Sequence, residues 1–315
     1  MSKFSLTLCS TLLLAGLTLP AWANPSDISG MTTFGPKALI TVSDCKTKSE
    51  KPRLHILNVQ PDKGPKYLPI TVPVWQDSEK GEVQRASDLE AICKVPEAPG
   101  RFYAFESGYW KGGGGRAFEL EITHDPVIGW VGRVVNIIRP FKAPADGTTV
   151  DHQQIEGCAA FRDGAHHTYF LLGLRGDSEH EGQLVVSRLE EDGQCVELER
   201  RPIDLRGFLG GGRSCSDLCL QSYDTNIFHI LSSGVIDGGD LGPFKSVIAD
   251  VGTLEIKADG YELYVPKKAS VVYTLEGLKV EAISHYLNSK KAHLCVGTDD
   301  EEYDAVFRLL PIKQE

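Results

Sequence analysis

A short phrase recurs five times in this chain, and each copy leads into an apolar stretch. When the copies are aligned at their third or fourth residue, consecutive copies lie 61 to 66 residues apart. A regular period in a chain rich in β-forming residues predicts blades arranged around an axis. We therefore expect an all-β, single-domain, five-bladed β-propeller. The phrases are Ser26-Asp27-Ile28-Ser29-Gly30-Met31, Ser87-Asp88-Leu89-Glu90-Ala91-Ile92, Gln154-Ile155-Glu156-Gly157-Cys158, Ser216-Asp217-Leu218-Cys219-Leu220 and Lys279-Val280-Glu281-Ala282-Ile283.

Each repeat contains the same sequence of strand signals. The head phrase is followed by a turn rich in Pro, Gly, Asn or Asp, and then by a short aromatic or β-branched run such as residues 102–105 or 169–172. No long window has helical periodicity. We expect blades at about 24–85, 86–151, 152–213, 214–277 and 278–315, of which the last shows three strands only.

The first 23 residues read as a signal peptide. Lys3 precedes an apolar stretch at 11–20, and Ala21-Trp22-Ala23 resembles a cleavage site. We expect an exported protein, periplasmic or secreted, with no membrane span and a monomeric state. The net charge of −10 argues against non-specific binding to nucleic acid. The odd number of cysteines after cleavage predicts a mixture of disulfides and buried thiols.

Three glutamates occupy equivalent positions in the head phrases and are predicted to meet near the axis. Glu90, Glu156 and Glu281 would repel one another unless they are protonated or bound to a cation. Hard oxygen ligands favour Ca²⁺, to which Ser29 can add a hydroxyl or backbone oxygen. Cys219 is a poor ligand for a hard cation. In the alternative, each glutamate caps its own blade or forms an ion pair.

A second set of polar residues is predicted to lie on the channel rim, at the ends of the second strands. Long loops follow these strands, and loops on a rigid β scaffold commonly carry binding sites. Arg175 is the candidate for binding an anion, because a guanidinium can pair bidentately; a salt bridge to a head glutamate is equally consistent with the sequence. The rim set is Asp44, Glu106, Arg175, Ser233 and Asp299, with Cys219 on the neighbouring head.

Three longer stretches, at 154–177, 204–244 and 280–300, resemble an uncharacterised bacterial family of exported, propeller-like proteins. More distantly, the order Ser, Glu, Glu, X, Glu of the heads is similar to the calcium-activated nucleotidases, the SdiA-regulated proteins and the phytase-like propellers. This resemblance implies a five-bladed fold and an axial calcium site at Ser29, Glu90, Glu156 and Glu281, with Cys219 replacing an expected serine. It implies no particular activity.

Two functions from different classes follow from these expectations. In the first, the propeller is a binding or structural module that recognises a small anionic ligand or an envelope protein. In the second, a bound Ca²⁺ activates water for hydrolysis of phosphate esters or similar small anionic esters. Glu106, Asp299 or Asp44 would then be the candidate bases. The first is preferred, because Arg175 is the only basic residue predicted among several acids on the rim.

Overall fold

The computed structural model describes most of the chain and shows an almost entirely β protein with one short helix, α1 (Arg206–Leu209). The residues described are 25, 27–45, 51–59, 64–73, 75, 86, 88–108, 115–141, 153–236, 242–288, 291–299 and 305–312. Within these ranges no helix is long and apolar enough to cross a membrane. The predicted signal peptide lies outside them. The all-β class predicted from the sequence is confirmed.

The strands of the first two repeats join into one sheet of eight, in the order β1-β2-β3-β4-β8-β7-β6-β5. The two halves meet where β4 pairs in parallel with β8, Ile70 opposite Trp130. The strands are β1 (Gly30–Gly35), β2 (Ala38–Val42), β3 (Leu54–Asn58), β4 (Lys66–Thr71), β5 (Leu89–Lys94), β6 (Arg101–Glu106), β7 (Ala117–Asp125) and β8 (Gly129–Ile138).

The remaining repeats form sheets of four, five and three strands. The four-stranded sheet has the order β12-β11-β10-β9, and the three-stranded sheet has the order β18-β19-β20. In the five-stranded sheet, β17 pairs with β15 beside the path β13-β14-β15-β16. The strands are β9 (Ile155–Arg162), β10 (Thr168–Leu174), β11 (Gly182–Leu189), β12 (Cys195–Ile203), β13 (Arg213–Ser222), β14 (Ile227–Ile236), β15 (Lys245–Ile256), β16 (Tyr261–Tyr264), β17 (Ser270–Glu276), β18 (Val280–Asn288), β19 (Lys291–Thr298) and β20 (Phe307–Pro311).

The first strands of the repeats surround a common centre. In chain order β1, β5, β9, β13 and β18 each contact the next, and β18 contacts β1 again. The residues near 27–29 complete this circle: Asp27 bridges Asp299, and the Ile28 N–H donates to the Thr298 carbonyl at 3.0 Å. All five first strands therefore begin at the same end, which we call the head end.

The hydrophobic core lies between successive sheets, as the two-sided burial of their second strands requires. Between the second and third repeats, for example, the Phe170 ring packs edge-on against Tyr103 at 4.9 Å and against Phe105 at 5.3 Å. Every residue of β10 is buried. The apolar runs predicted as second strands thus become the layers that join neighbouring sheets.

The observed sheets depart from the predicted units in two respects. The first two units share a sheet, because the β4–β8 pairing joins their outer edges. A sequence repeat predicts the order of strands within a unit, but it does not predict which strands pair between units. The fourth unit begins at Arg213, inside the range predicted for the third, and contains the unpredicted strand β16. The five-blade count does not follow from the sheet assignment.

Gly157 marks a place where two first strands touch through their backbones. A Cβ at this position would lie 2.4 Å from the Leu218 nitrogen and 2.8 Å from the Asp217 carbonyl carbon. We expect Gly157→Ala to lower the free energy of unfolding by about 1–3 kcal/mol, because β9 and β13 must separate to accommodate the methyl group. Urea denaturation measures the change.

Gly207→Ala is the control for this substitution. Gly207 lies in α1 with no atom within 4 Å of the added Cβ, so alanine should leave stability unchanged or raise it by about 0.5–1 kcal/mol. Equal effects of the two substitutions would contradict close packing of β9 on β13.

Candidate functional site

The three head glutamates occupy the same structural position in three repeats. Between the first and second strands of each, the register shifts by one residue, and the extra residue is Glu90, Glu156 or Glu281. A β-bulge of this kind bends its strand and re-aims the side chain of the extra residue. The three side chains interact electrostatically. The structure therefore brings the three glutamates together at the head end, where the sequence predicts them to meet.

Arg213, at the start of β13, lies between two of these glutamates. Its Nη1 is 3.3 Å from Glu156 Oε2, and its Nη2 donates a short hydrogen bond to Glu281 Oε1. The side chains are only 7%, 3% and 5% exposed, so the pairs are screened little by solvent. One guanidinium of the fourth repeat thus connects the third repeat to the fifth.

Lys279 and Asp299 extend the same network on the side of Glu281. Lys279 Nζ is 3.5 Å from Glu281 Oε1 and 3.2 Å from Asp299 Oδ2, and Asp299 is hydrogen-bonded to Glu281. Burial, followed by the charge of Glu281, raises the pKa of Asp299 to about 9, so its carboxyl is protonated at pH 7 and donates to Glu281. Asp299, predicted for the rim, belongs to the buried network.

Glu156 and Glu281 differ in their protonation although both are buried. Burial raises the pKa of Glu156 to about 7, even with the opposing attraction of Arg175 and Arg213. Burial acts on Glu281 in the same direction, but Arg213 and Lys279 outweigh it and hold the pKa of Glu281 below its usual value. Glu281 is therefore ionised at neutral pH, whereas Glu156 is close to its midpoint.

Glu90 belongs to a different group of carboxylates, between the first two repeats. Its ligand atom and those of Asp44 and Asp88 all lie within 4.8 Å of one another. Burial, then the charges of Glu156 and Asp88, raise the pKa of Glu90 well above its usual value. Within the described part of the chain, the half-buried Glu90 carboxyl has no hydrogen bond or ion pair.

Asp88 is held in an uncommon backbone conformation. Its φ of 57° is in the left-handed region, which aspartate tolerates better than most residues. Its Oδ2 accepts a short hydrogen bond from the Ser107 hydroxyl, and the Ser107 N–H donates to its carbonyl at 2.9 Å. These bonds fix the Asp88 carboxyl beside Glu90.

Ser29 lies next to this carboxylate group. Its N–H donates to the Val42 carbonyl, two residues before Asp44, and a Cβ on the adjacent Gly30 would be 2.6 Å from the Glu90 carbonyl oxygen. The Ser29 hydroxyl is fully buried, and no described residue forms a hydrogen bond with it.

The other predicted rim residues fall into separate environments. Glu106 forms a buried bidentate pair with Arg116, at 2.8 and 2.5 Å. Arg175 lies 3.5 Å from Glu156, the salt bridge named as its alternative, and is 30% exposed. The buried Ser233 hydroxyl receives a hydrogen bond from Ser216.

Cys219 lies away from the head end. It pairs with Leu231, and the register shift of β13 falls earlier, between Arg213 and Asp217. Regular pairing with β14 resumes at Asp217. Ser216, which directly precedes Asp217, therefore occupies the position that the head glutamates have in the other repeats. The sequence similarity of residues 216–218 to 87–89 aligned Cys219 with Glu90. The irregularity at the start of β13 is longer than in the other repeats, so Cys219 lies three residues beyond the position equivalent to Glu90.

Sequence reasoning did not single out the basic residues that neutralise the head end. Arg213 directly follows three glycines, and Lys279 is the first residue of the last head phrase. Asp217 was also missed: its buried Oδ2 accepts from the Ile283 N–H at 2.7 Å, joining β13 to β18. Lys279 could have been identified from the sequence as a basic residue two positions before a head glutamate. No comparable sequence signal marked Arg213.

Known proteins are similar to this chain in structure but not in sequence. No family model and no curated protein matches it. A thermostable family-43 glycoside hydrolase matches with a TM-score of 0.52 and 11% identity over 92% of this chain and 90% of that one. An endo-arabinase from Bacteroides thetaiotaomicron VPI-5482 matches with a TM-score of 0.50 and 10% identity over 93% and 98%.

At such low identity, the similarity to these solved structures defines the fold alone. Both have propeller-type folds, and the similarity extends over nearly the whole chain. The chain is therefore a β-propeller protein with a buried network of ionisable residues at the head end of its first strands.

The head-end carboxyl groups predict a specific dependence of stability on pH. Glu156 titrates at 4.5 in its ordinary state and at about 7 in the folded protein, so between these values the folded state binds more protons than the unfolded chain. The contribution of Glu156 to the free energy of unfolding, on the order of 3 kcal/mol, should therefore be lost as the pH rises from 4.5 to 7. Asp299 acts in the same direction up to about pH 9. The buried His55 and His285 act in the opposite direction below pH 6.5, because burial lowers the pKa of each to about 4.

Urea denaturation from pH 4.5 to 9 tests this dependence. Glu156→Gln should flatten the fall below pH 7, whereas Glu179→Gln, at an exposed position, should leave it unchanged. The same pH dependence in Glu156→Gln as in the unaltered protein would contradict the raised pKa of Glu156.

Proposed function

We propose that the chain folds as a five-bladed β-propeller. The closed circle of contacts among β1, β5, β9, β13 and β18 supports one blade per repeat. The parallel β4–β8 pairing then joins two neighbouring blades at their outer edges. The five first strands line the axis, which brings the head residues of different blades together.

We propose further that the head end binds a divalent cation, Ca²⁺, at Asp44, Asp88 and Glu90. The observation that carries this proposal is the clustering of their three carboxylate ligand atoms within 4.8 Å. Three carboxylates at this separation repel strongly unless they are protonated or share a cation. Oxygen donors with irregular geometry suit Ca²⁺, which takes six to eight ligands and accepts water among them.

Ser29 completes the proposed ligand set. Its buried hydroxyl, which makes no hydrogen bond with any described residue, belongs to the segment that borders both Glu90 and the end of β2. A hydroxyl oxygen is a suitable neutral ligand for a hard cation. The proposal keeps Ser29 and Glu90 from the predicted axial set and adds two aspartates.

Glu156 and Glu281 have a different role in this proposal. Their ion pairs with Arg213 supply the positive charge that a metal would otherwise provide. They therefore support the site electrostatically and do not ligate the ion. Since Glu156 also raises the pKa of Glu90, these carboxylates add to the negative potential that attracts a cation.

A cation bound in this way would tie the first blade to the second, at the end where the long loops emerge. We propose that the protein is a monomeric binding module of the periplasm or the secreted fraction, whose head end recognises a small anionic ligand or an envelope protein. Arg175, 30% exposed beside Glu156, is the residue of the site best placed to contact an anion.

Calcium should raise the melting temperature of the chelated mature protein. At a concentration 100 times the Kd, binding contributes about 2.7 kcal/mol, which corresponds to a rise of about 5–10 °C for a domain of this size. Mg²⁺ should raise it much less, because it demands octahedral geometry and retains its water. Differential scanning calorimetry measures both effects.

Glu90→Gln should abolish most of the calcium response, while Glu281→Gln, at a glutamate outside the proposed ligand set, should retain it. Glu179→Gln serves as the exposed control. The proposal fails if the unaltered protein shows no response to Ca²⁺, or if Glu90→Gln responds as fully as the control.

A second candidate function, hydrolysis, is favoured by the divergent protonation of the head-end carboxyls. Burial raises the pKa of Glu90 well above its usual value, whereas Arg213 and Lys279 hold the pKa of Glu281 below its usual value. Two carboxyls whose pKa values are shifted apart in this way can serve as a general acid and a base. Glycoside hydrolysis uses such pairs. The similar solved structures are glycoside hydrolases, and this fold-level analogy alone does not transfer their activity.

A screen of nitrophenyl glycosides and phosphate esters, with and without Ca²⁺, tests this candidate. Any true activity should fall at least a hundredfold in Glu90→Gln, since general acid–base catalysis contributes roughly 10²–10⁴ in rate. Glu179→Gln should retain it. Turnover that survives Glu90→Gln would assign the activity to another site or to a contaminant.

A further inference from the structure

A cavity of about 360 Å³ opens at the end of the ring opposite the head glutamates. Every first strand contributes residues to the cavity wall, and these residues lie farther along the strand than the head residues. The five strands are represented by Thr33, Lys94, Arg162, Leu220 and His285, among others. We call this cavity the tail cavity. None of the proposed calcium ligands lines it.

The walls of the tail cavity are largely apolar. They combine two aromatic rings with aliphatic side chains and backbone from β13, β14 and β15. The apolar lining includes Met31, Phe161, Leu218, Leu220, Phe228 and Ile256. A concave, mostly apolar site of about 300–1,000 Å³ with a few placed polar groups is the usual form of a small-molecule site.

The charged groups of the cavity leave one positive charge without a partner. Arg162 donates to Glu97 at 3.2 Å, so these two charges are matched. His285 is neutral at pH 7, because burial lowers its pKa to about 4. Lys94, an exposed residue at the end of β5, forms no ion pair or hydrogen bond with any described residue.

We propose that the tail cavity binds a small organic monocarboxylate whose aromatic or aliphatic body packs against the apolar wall while its carboxylate pairs with Lys94. A single unmatched ammonium group favours a ligand with one negative charge over a phosphate ester with two. The cavity size limits the ligand to a compact molecule.

This inference is independent of the proposed calcium site. The tail cavity is formed by the later parts of the first strands, whereas Asp88 and Glu90 lie at the beginning of β5 and Asp44 lies just beyond the end of β2. Loss of cation binding in Glu90→Gln should leave ligand binding in the tail cavity unchanged. A failure of either proposal can therefore be recognised separately.

Isothermal titration calorimetry with benzoate, 3-phenylpropionate and octanoate, each compared with its neutral amide, tests the proposal. We expect at least one acid to bind roughly tenfold or more tightly than its amide, the difference typical of a charged hydrogen bond. Lys94→Met, which keeps an unbranched side chain of similar length and removes the charge, should weaken binding of that acid to the level of its amide. Lys66→Met, at an exposed lysine of β4, should bind the acid unchanged.

A second variant tests the location of the ligand without altering charge. Ala160 is a half-buried residue of the cavity wall, and Ala160→Leu would occupy part of the space and weaken binding of both acid and amide. Circular dichroism verifies that each variant is folded. The proposal is overturned if none of the three acids binds, or if binding is the same in Lys94→Met and Ala160→Leu as in the unaltered protein.

Discussion

Several carboxylates converge where the first strands begin, and the remainder of the structure depends on how their charge is compensated. Arg213 compensates two of them at once, since it lies between Glu156 of the third repeat and Glu281 of the fifth. Removing one partner from such a buried pair typically costs about 3–5 kcal/mol, because the remaining charge stays desolvated. The ionic contact therefore fixes the relative positions of three repeats.

The head end is electrostatically asymmetric as a result. The third, fourth and fifth repeats contribute the basic residues Arg175, Arg213 and Lys279, whereas the first two contribute Asp44, Asp88 and Glu90. Protons and cations compete for the second group, because each relieves the same repulsion. A single set of side chains thus accounts for the expected loss of stability at high pH, the affinity proposed for Ca²⁺ and the acid required by the hydrolytic alternative.

The sequence predicts local order well and contacts between repeats poorly. The second-strand run at 102–105 lies within β6, and the head glutamates take equivalent places, because alternation and turn chemistry act over a few residues. The β4–β8 pairing, the displacement of Cys219 and the role of Arg213 depend on long-range packing. The repeat predicted the positions of all three head glutamates, but only the structure shows that Arg213 pairs with Glu156 and Glu281.

The contact between Asp27 and Asp299 has a consequence for the time course of folding. Each repeat is built from contiguous chain, so its strands can pair before the rest of the chain is in place. The circle, by contrast, closes through residues separated by more than 270 positions, at an entropic cost that grows with the logarithm of that separation. Nearly the whole chain must therefore be available before the central ring can form, and until then the open edges of the first and last repeats are exposed to incorrect pairing.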